Sequence, residues 1–249
     1  IQGLLPLSSP FCHFFQGGKS SEKGLTLHPV AQILTLIKRE LLSEWRQKYA
    51  INGILLYLAS TIFVCYMSFS VKAGAITPES WNALFWIIIL FAGINAVAKS
   101  FLSEPAGRGV YLHTITSGAQ LIVARILYNA GLMVLLSLIG YIFYSVVLSN
   151  PVIDHALFVV TLILASMALS TSLTMVSGIA ARASQGATMM AILSFPLVIP
   201  ILLISIKVST TAIFVGGFGE AYSELMTLIA INVIAIAITY ILFPYIWRS

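Results

Sequence analysis

Six long apolar runs limit what this chain can fold into. They lie near residues 51–71, 81–98, 121–148, 156–181, 187–206 and 225–247. Each run is long enough for a helix to cross about 30 Å of hydrocarbon. The strands of a membrane β-barrel would instead alternate polar and apolar residues. The runs therefore predict an all-α membrane protein with six transmembrane helices.

The composition supports this prediction and excludes an ordinary soluble enzyme. Hydrophobic residues make up 59% of the chain and charged residues 8%, whereas water-soluble domains carry about 25% charged residues. The basic residues form short clusters without interleaved aromatic residues, so nucleic acid is not an expected partner. The lipid bilayer is the expected surrounding of this chain.

The positive charges predict how the chain is oriented. Cytoplasmic loops of membrane proteins are enriched in Lys and Arg. With a cytoplasmic amino terminus and six spans, and with residues 1–28 left out, nine basic residues fall on the cytoplasmic side, and only Lys72 and Lys207 fall on the other. We therefore expect both termini in the cytoplasm. The nine residues are Lys38, Arg39, Arg46, Lys48, Lys99, Arg108, Arg125, Arg182 and Arg248.

The first residues do not share the membrane pattern. Residues 1–28 mix Ser, Gly, Pro and Phe without a long apolar core, and we expect a disordered extension or a mis-set start there. The membrane domain is predicted to cover residues 29–249. Within it, residues 29–46 carry apolar side chains at three- and four-residue spacing, which predicts an amphipathic helix lying at the membrane surface.

The fourth span carries a stripe of small residues on one helix face. Small side chains allow a second helix to approach closely in lipid. The stripe predicts either a static packing contact or a contact that moves in a gate. Its members recur at four-residue steps: Ser166, Ser170, Thr174 and Gly178.

Four further residues in the spans predict local features. Pro196 and Pro200 in the fifth span each remove a helix hydrogen bond, so we expect a kink or break there. Asn95 in the second span and Asn232 in the sixth are each expected to form an interhelical hydrogen bond, because an unpaired amide is costly in lipid.

No set of residues predicts catalysis or a resident cofactor. The spans contain no carboxylate that could couple transport to protons or sodium, so a partner is expected to supply the energy. The histidines do not pair at four-residue spacing, which argues against a metal or bis-histidine haem site. Asp154 fits the N-cap of the fourth span, and a transient haem contact at His155 is left open.

The longest predicted inner loop, residues 99–120, joins the second and third spans. It combines turn residues with tyrosine and leucine, which predicts a short helix on the membrane face that docks on a soluble ATPase. A structureless connection is the alternative. The docking candidates are Glu104, Gly107, Arg108, Gly109, Tyr111, Leu112 and Ile115.

Two runs resemble a known family. FAGINAVAKSFLSEPAGRGVYLHTITSGAQLIVARIL resembles the second-span to third-span region of the haem exporter B (CcmB) family of cytochrome c maturation, which are ABC-2-type permeases. SGIAARASQGATMMAILSFPLVIPILLISIKVS is similar to that family's fourth-to-fifth-span passage. The resemblance covers about residues 30–249. Two positions depart from the ABC-2 pattern: Arg108 replaces an acidic residue, and Ser117-Gly118 replaces Ser-Pro.

The resemblance implies an ABC transporter permease in the bacterial inner membrane. Its implied partners are an ABC ATPase subunit that binds the ATP, a tryptophan-rich haem-handling membrane protein and a periplasmic haem chaperone. Haem is then a handled or transported ligand, and no cofactor is expected to bind this chain tightly. Three alternatives stay open: an ABC-2 permease for a glycan, lipid or drug, an assembly subunit that transports nothing, and a haem-bearing redox subunit.

Overall fold

The computed structural model describes Ile37 and residues 48–70, 76–102, 118–180 and 186–248. These residues form six long helices and, within those ranges, no strand. Each helix contains an apolar stretch long enough to span a membrane. The predicted all-α fold with six spans is therefore confirmed. The helices are α1 Lys48–Ser70, α2 Pro78–Leu102, α3 Gly118–Val147, α4 His155–Ala180, α5 Gly186–Phe214 and α6 Tyr222–Arg248.

Two sequence predictions lie outside the described residues. These are the amino-terminal segment 1–28 and, apart from Ile37, the amphipathic helix over residues 29–46. Both stay predictions, as does the cytoplasmic position of the two termini.

The fifth helix is longer than predicted and is not interrupted. It continues beyond residue 206 to Phe214, and Pro196 and Pro200 lie inside it. Lys207 directly follows the predicted span, and its long side chain is 70% exposed and forms a 2.6 Å ion pair with Glu224 of α6. A lysine near a helix end can extend to the membrane surface, so it does not terminate a span.

Helix α4 lies at the centre of the bundle. It packs against α2, α3, α5 and α6, whereas α1 packs on α2 and α3. About two thirds (67%) of the α4 span is buried within the protein, compared with 17% for α1 and 22% for α6. The many Ala and Ser residues of α4 explain this position, because small side chains allow several neighbouring helices to approach closely.

An aromatic cluster joins α2, α3 and α4 near the α3–α4 loop. The ring centroids of Trp81 and Tyr144 are 4.8 Å apart, and those of Tyr141 and Phe158 are also 4.8 Å apart. Tyr144 Oη donates a 3.0 Å hydrogen bond to the backbone carbonyl of Trp81. This cluster fixes the start of α2 to the end of α3 and the start of α4. Its members are Trp81, Phe85, Trp86, Tyr141, Tyr144 and Phe158.

Asp154 holds together the two loops that follow α3 and α5. One carboxylate oxygen accepts the backbone N–H of Leu157 at 3.0 Å, which confirms the predicted N-cap of α4. The other accepts the N–H of Gly217 at 2.9 Å. Gly216 and Gly217 have φ angles of 74° and 90°, which favour glycine. Hydrogen bonds from Leu157 and then Gly217 lower the pKa of Asp154 below its ordinary value.

Replacing Asp154 with alanine is expected to lower the thermal stability of the purified protein, because both hydrogen bonds are lost. A carboxyl whose pKa is lower in the folded than in the unfolded protein stabilises the fold at pH values above the unfolded pKa. This stabilisation is lost as the pH falls through the folded pKa. The Tm difference between wild type and Asp154→Ala should therefore be constant from pH 7 to pH 5 and shrink below about pH 4. A difference that already disappears at pH 5 would contradict this assignment.

Candidate functional site in the bundle interior

The predicted ATPase-docking residues lie outside the described part of the chain. Glu104, Gly107, Arg108, Gly109, Tyr111, Leu112 and Ile115 all fall between α2 and α3, in residues 103–117. Their role in docking stays a prediction. The predicted packing residues of α4 and α5 are within the described part, and those of α4 lie in the bundle interior.

The small-residue stripe of α4 is buried against α3. Ser166 Oγ donates a 2.8 Å hydrogen bond to Ser137 Oγ of α3. Two turns further along α4, Thr174 Oγ1 accepts a 3.0 Å hydrogen bond from Asn129 Nδ2. Gly178 is also buried. The stripe therefore forms a polar contact with α3, in which each helix contributes hydrogen-bonding side chains.

The two hydrogen bonds define one antiparallel register between the helices. From Ser137 to Asn129, α3 moves back eight residues while α4 moves forward eight, from Ser166 to Thr174. Residues at four-residue steps lie on the same face of a helix. Ser170 of α4 is therefore level with Met133 of α3.

The contact contains a buried cation near the start of α3. In the same register Arg125 of α3 is level with Gly178 of α4, and Arg125 is 5% exposed. The sequence pattern had placed Arg125 among the charges at the cytoplasmic helix ends, but its side chain lies inside the bundle. Buried charges are uncommon in spans and are usually held by polar partners.

A second polar contact joins α2 to α5. Asn82 Oδ1 accepts a 2.8 Å hydrogen bond from Ser209 Oγ, and Asn82 Nδ2 donates to Thr210 Oγ1 at 3.1 Å and to the Ile206 carbonyl at 3.2 Å. Trp86 Nε1 also donates to Ser209 Oγ at 2.9 Å. Sequence reasoning missed this network, although Asn82 and Trp86 are four residues apart and so share a helix face.

The two asparagines predicted to join helices behave differently. Asn232 is buried on α6 and donates to the Leu164 carbonyl of α4 at 3.0 Å, as expected. The prediction for Asn95 was wrong. Its side chain is exposed and donates to the Phe91 carbonyl of its own helix at 2.9 Å, which satisfies the amide without a second helix.

The prolines of α5 lie on its exposed face. Pro196 and Pro200 are both exposed, and the helix continues through them. Each proline lacks the N–H that would bind the carbonyl four residues earlier. The carbonyls of Ile192 and Pro196 therefore lose their usual helix donors. Of the predicted kink or break, the break does not occur, and the kink stays a prediction.

His155 belongs to a small polar cluster at the start of α4. Asn150 Oδ1 accepts the Val152 N–H at 3.0 Å, which fixes the orientation of the amide. Asn150 Nδ2 therefore donates both to Tyr141 Oη at 3.1 Å and to His155 Nε2 at 3.2 Å. His155 thus belongs to a polar cluster at the start of α4, and the haem contact left open above stays a hypothesis.

The interior chemistry is that of hydroxyls, amides and one arginine. None of the buried polar side chains in the described ranges is acidic. The described residues also contain no group of three His, Cys, Asp or Glu side chains that could hold a metal ion. The arrangement is suited to holding helices together or letting their contacts rearrange.

Six apolar helices packed into one bundle define a multi-pass integral membrane protein. The sequence profile of the CcmB protein family matches residues 31–246, and the chain belongs to that family. The protein is therefore the membrane component of a haem exporter for cytochrome c maturation and a subunit of an ABC transporter, not itself a catalytic chain. A comparison with curated proteins gives no match.

Proposed function

We propose that this chain is the inner-membrane permease subunit that converts ATP hydrolysis by a separate ABC ATPase into release of a haem-loaded periplasmic chaperone. The observation that carries the proposal is the CcmB family match over residues 31–246, together with six apolar helices. A tryptophan-rich membrane protein is the proposed haem-handling partner. Both termini of the chain lie on the ATPase side in this proposal.

The interior of the bundle supports an external energy source. A carrier driven by protons or sodium usually keeps an ionisable or ion-coordinating site at mid-membrane. Apart from Arg125 near the start of α3, the described helices bury serine, threonine and asparagine, and none of their buried polar side chains is a carboxylate. In the proposed function ATP is bound by the partner ATPase, haem is a ligand that the complex handles, and this chain holds no cofactor tightly.

Motion would reach the helices through the loop between α2 and α3. Helix α3 starts directly after this loop, and its polar face contacts the central helix α4 through Ser137 and Asn129. A displacement of the loop by the ATPase would therefore act on α3 first and on α4 through their shared hydrogen bonds.

Replacing both Gly107 and Gly109 with proline is expected to abolish permease-stimulated ATP turnover of the partner ATPase. Proline fixes φ and removes an N–H, so the loop could no longer adopt the same conformations. The measurement is ATPase activity of the reconstituted complex. Gly219→Pro is the control, because Gly219 is exposed in the α5–α6 loop with no atom within 4 Å of an added Cβ. Unchanged turnover in the double variant would reject the loop's role.

The test of the overall proposal is haem staining of membrane proteins from cells in which this gene is deleted. Loss of all c-type cytochromes, restored by a plasmid copy, is the expected result. Cells with normal cytochromes would reject the proposed function and would favour an ABC-2 permease with a different cargo. Restoration by the Gly107→Pro, Gly109→Pro variant would indicate an assembly role that does not need the loop's motion.

A further inference from the structure

One hydroxyl in the contact between α3 and α4 has no hydrogen-bond partner. Ser170 is fully buried, and its Oγ makes no hydrogen bond to the protein. On the same helix, Thr161 and Thr171 donate to the carbonyls of Leu157 and Met167 at 2.7 Å and 2.9 Å. An unsatisfied buried hydroxyl is costly, and ordered water commonly satisfies such groups in native proteins.

The α3 residue level with Ser170 does not offer a strongly polar side chain. Ser170 lies midway between Ser166 and Thr174, both of which bond to α3, so its side chain is on the same helix face. Its counterpart is Met133, whose thioether is only a weak acceptor. The end of Met133 packs on α2, where a Cβ added to Gly93 would lie 2.9 Å from Met133 Sδ.

The spacing of the neighbouring levels fits a water molecule. Levels four residues apart along a helix are separated by about 6 Å, from a rise of about 1.5 Å per residue. A water that bridges two groups through two hydrogen bonds of about 2.8 Å each, arranged in a line, spans nearly the same distance. A water bound to Ser170 Oγ is therefore within reach of the next polar pair along the contact.

We propose that the α3–α4 contact binds a water molecule at the level of Ser170. This water donates to or accepts from the hydroxyl and connects Ser170 with one of the two neighbouring polar pairs of the contact, Ser137–Ser166 or Asn129–Thr174. The inference rests on the geometry of the two helices alone and is independent of the cargo.

Radiolytic labelling of the intact chain in lipid nanodiscs tests the proposal. Short X-ray pulses convert bound water into hydroxyl radicals, which oxidise the nearest reactive side chains before they diffuse. Met133 is 1% exposed and Met190 of α5 is 4% exposed, so neither should be reached from bulk solvent. We expect mass spectrometry to find oxidation at Met133 and none at Met190.

Two serine variants complete the test. Ser170→Ala removes the hydroxyl that holds the water and is expected to abolish oxidation at Met133. Ser205→Ala is the matched control, because Ser205 is equally buried but donates to the Ile201 carbonyl of its own helix at 2.7 Å. Met133 oxidation should be unchanged in that variant. The proposal is overturned if wild-type Met133 is labelled no more than Met190, if its labelling survives Ser170→Ala, or if Ser205→Ala removes it equally.

Discussion

Replacing Trp81 with alanine is expected to destabilise the protein by about 3 kcal/mol, the lower end of the range for removing a buried large aromatic side chain. Trp81 is fully buried, and its ring lies 5.8 Å from Phe85 and 6.0 Å from Phe158 by centroid. The lower end applies because lipid is as apolar as the bundle interior, so the loss is mainly of packing contacts. The expected result is a large fall in Tm and in the yield of monodisperse protein.

The matched control for this prediction is Phe91→Ala on the same helix. Phe91 is 50% exposed, so its truncation removes few contacts within the bundle. Both variants would be purified in detergent and compared by thermal unfolding followed by size-exclusion chromatography. Equal losses of Tm in the two variants would contradict the view that the aromatic cluster holds α2, α3 and α4 together.

Replacing Asn82 with aspartate is expected to cost roughly 3 kcal/mol or more, as for other uncompensated buried charges. Asn82 is 1% exposed. Its Nδ2 donates to the Ile206 carbonyl and to Thr210, and a carboxylate oxygen at that position would face the carbonyl with no hydrogen to share. The charge would also be removed from water in a region of low dielectric.

Ser80→Asp is the control for this substitution. Ser80 is exposed in the first turn of α2, where the helix dipole favours a negative charge. We expect Ser80→Asp to retain the wild-type Tm and Asn82→Asp to lose folded protein. A stable Asn82→Asp protein would mean that the α2–α5 network is hydrated and contributes little to the fold.

The spans could be predicted from sequence because hydropathy is a local property. A run of about twenty apolar residues indicates a transmembrane helix whatever its neighbours are, and all six runs correspond to helices. The fifth helix continues past the predicted end and past Lys207, whose charge is visible in the sequence but whose ion pair with Glu224 is not. Helix ends therefore depend on which groups meet at the bundle surface.

The partners of the interior residues could not be predicted, because they depend on how whole helices are placed. Asn95 and Asn232 are both single amides in apolar spans, yet only Asn232 lies on a face that meets another helix. The stripe of α4 was visible as small residues at four-residue steps. Its bonding to Asn129 and Ser137 required the register between α3 and α4, which no local pattern encodes.

The close pairing of α3 and α4 has a consequence for biosynthesis. The two helices are consecutive in the chain and are connected by residues 148–154, a loop in which Asn150 bonds back to Tyr141 of α3. The hydroxyls of Ser166 and Thr174 would otherwise meet lipid as the nascent chain leaves the ribosome. Since α3 is synthesised immediately before α4, we expect the pair to enter the bilayer together as a helical hairpin, with α5 and α6 added around a preformed core.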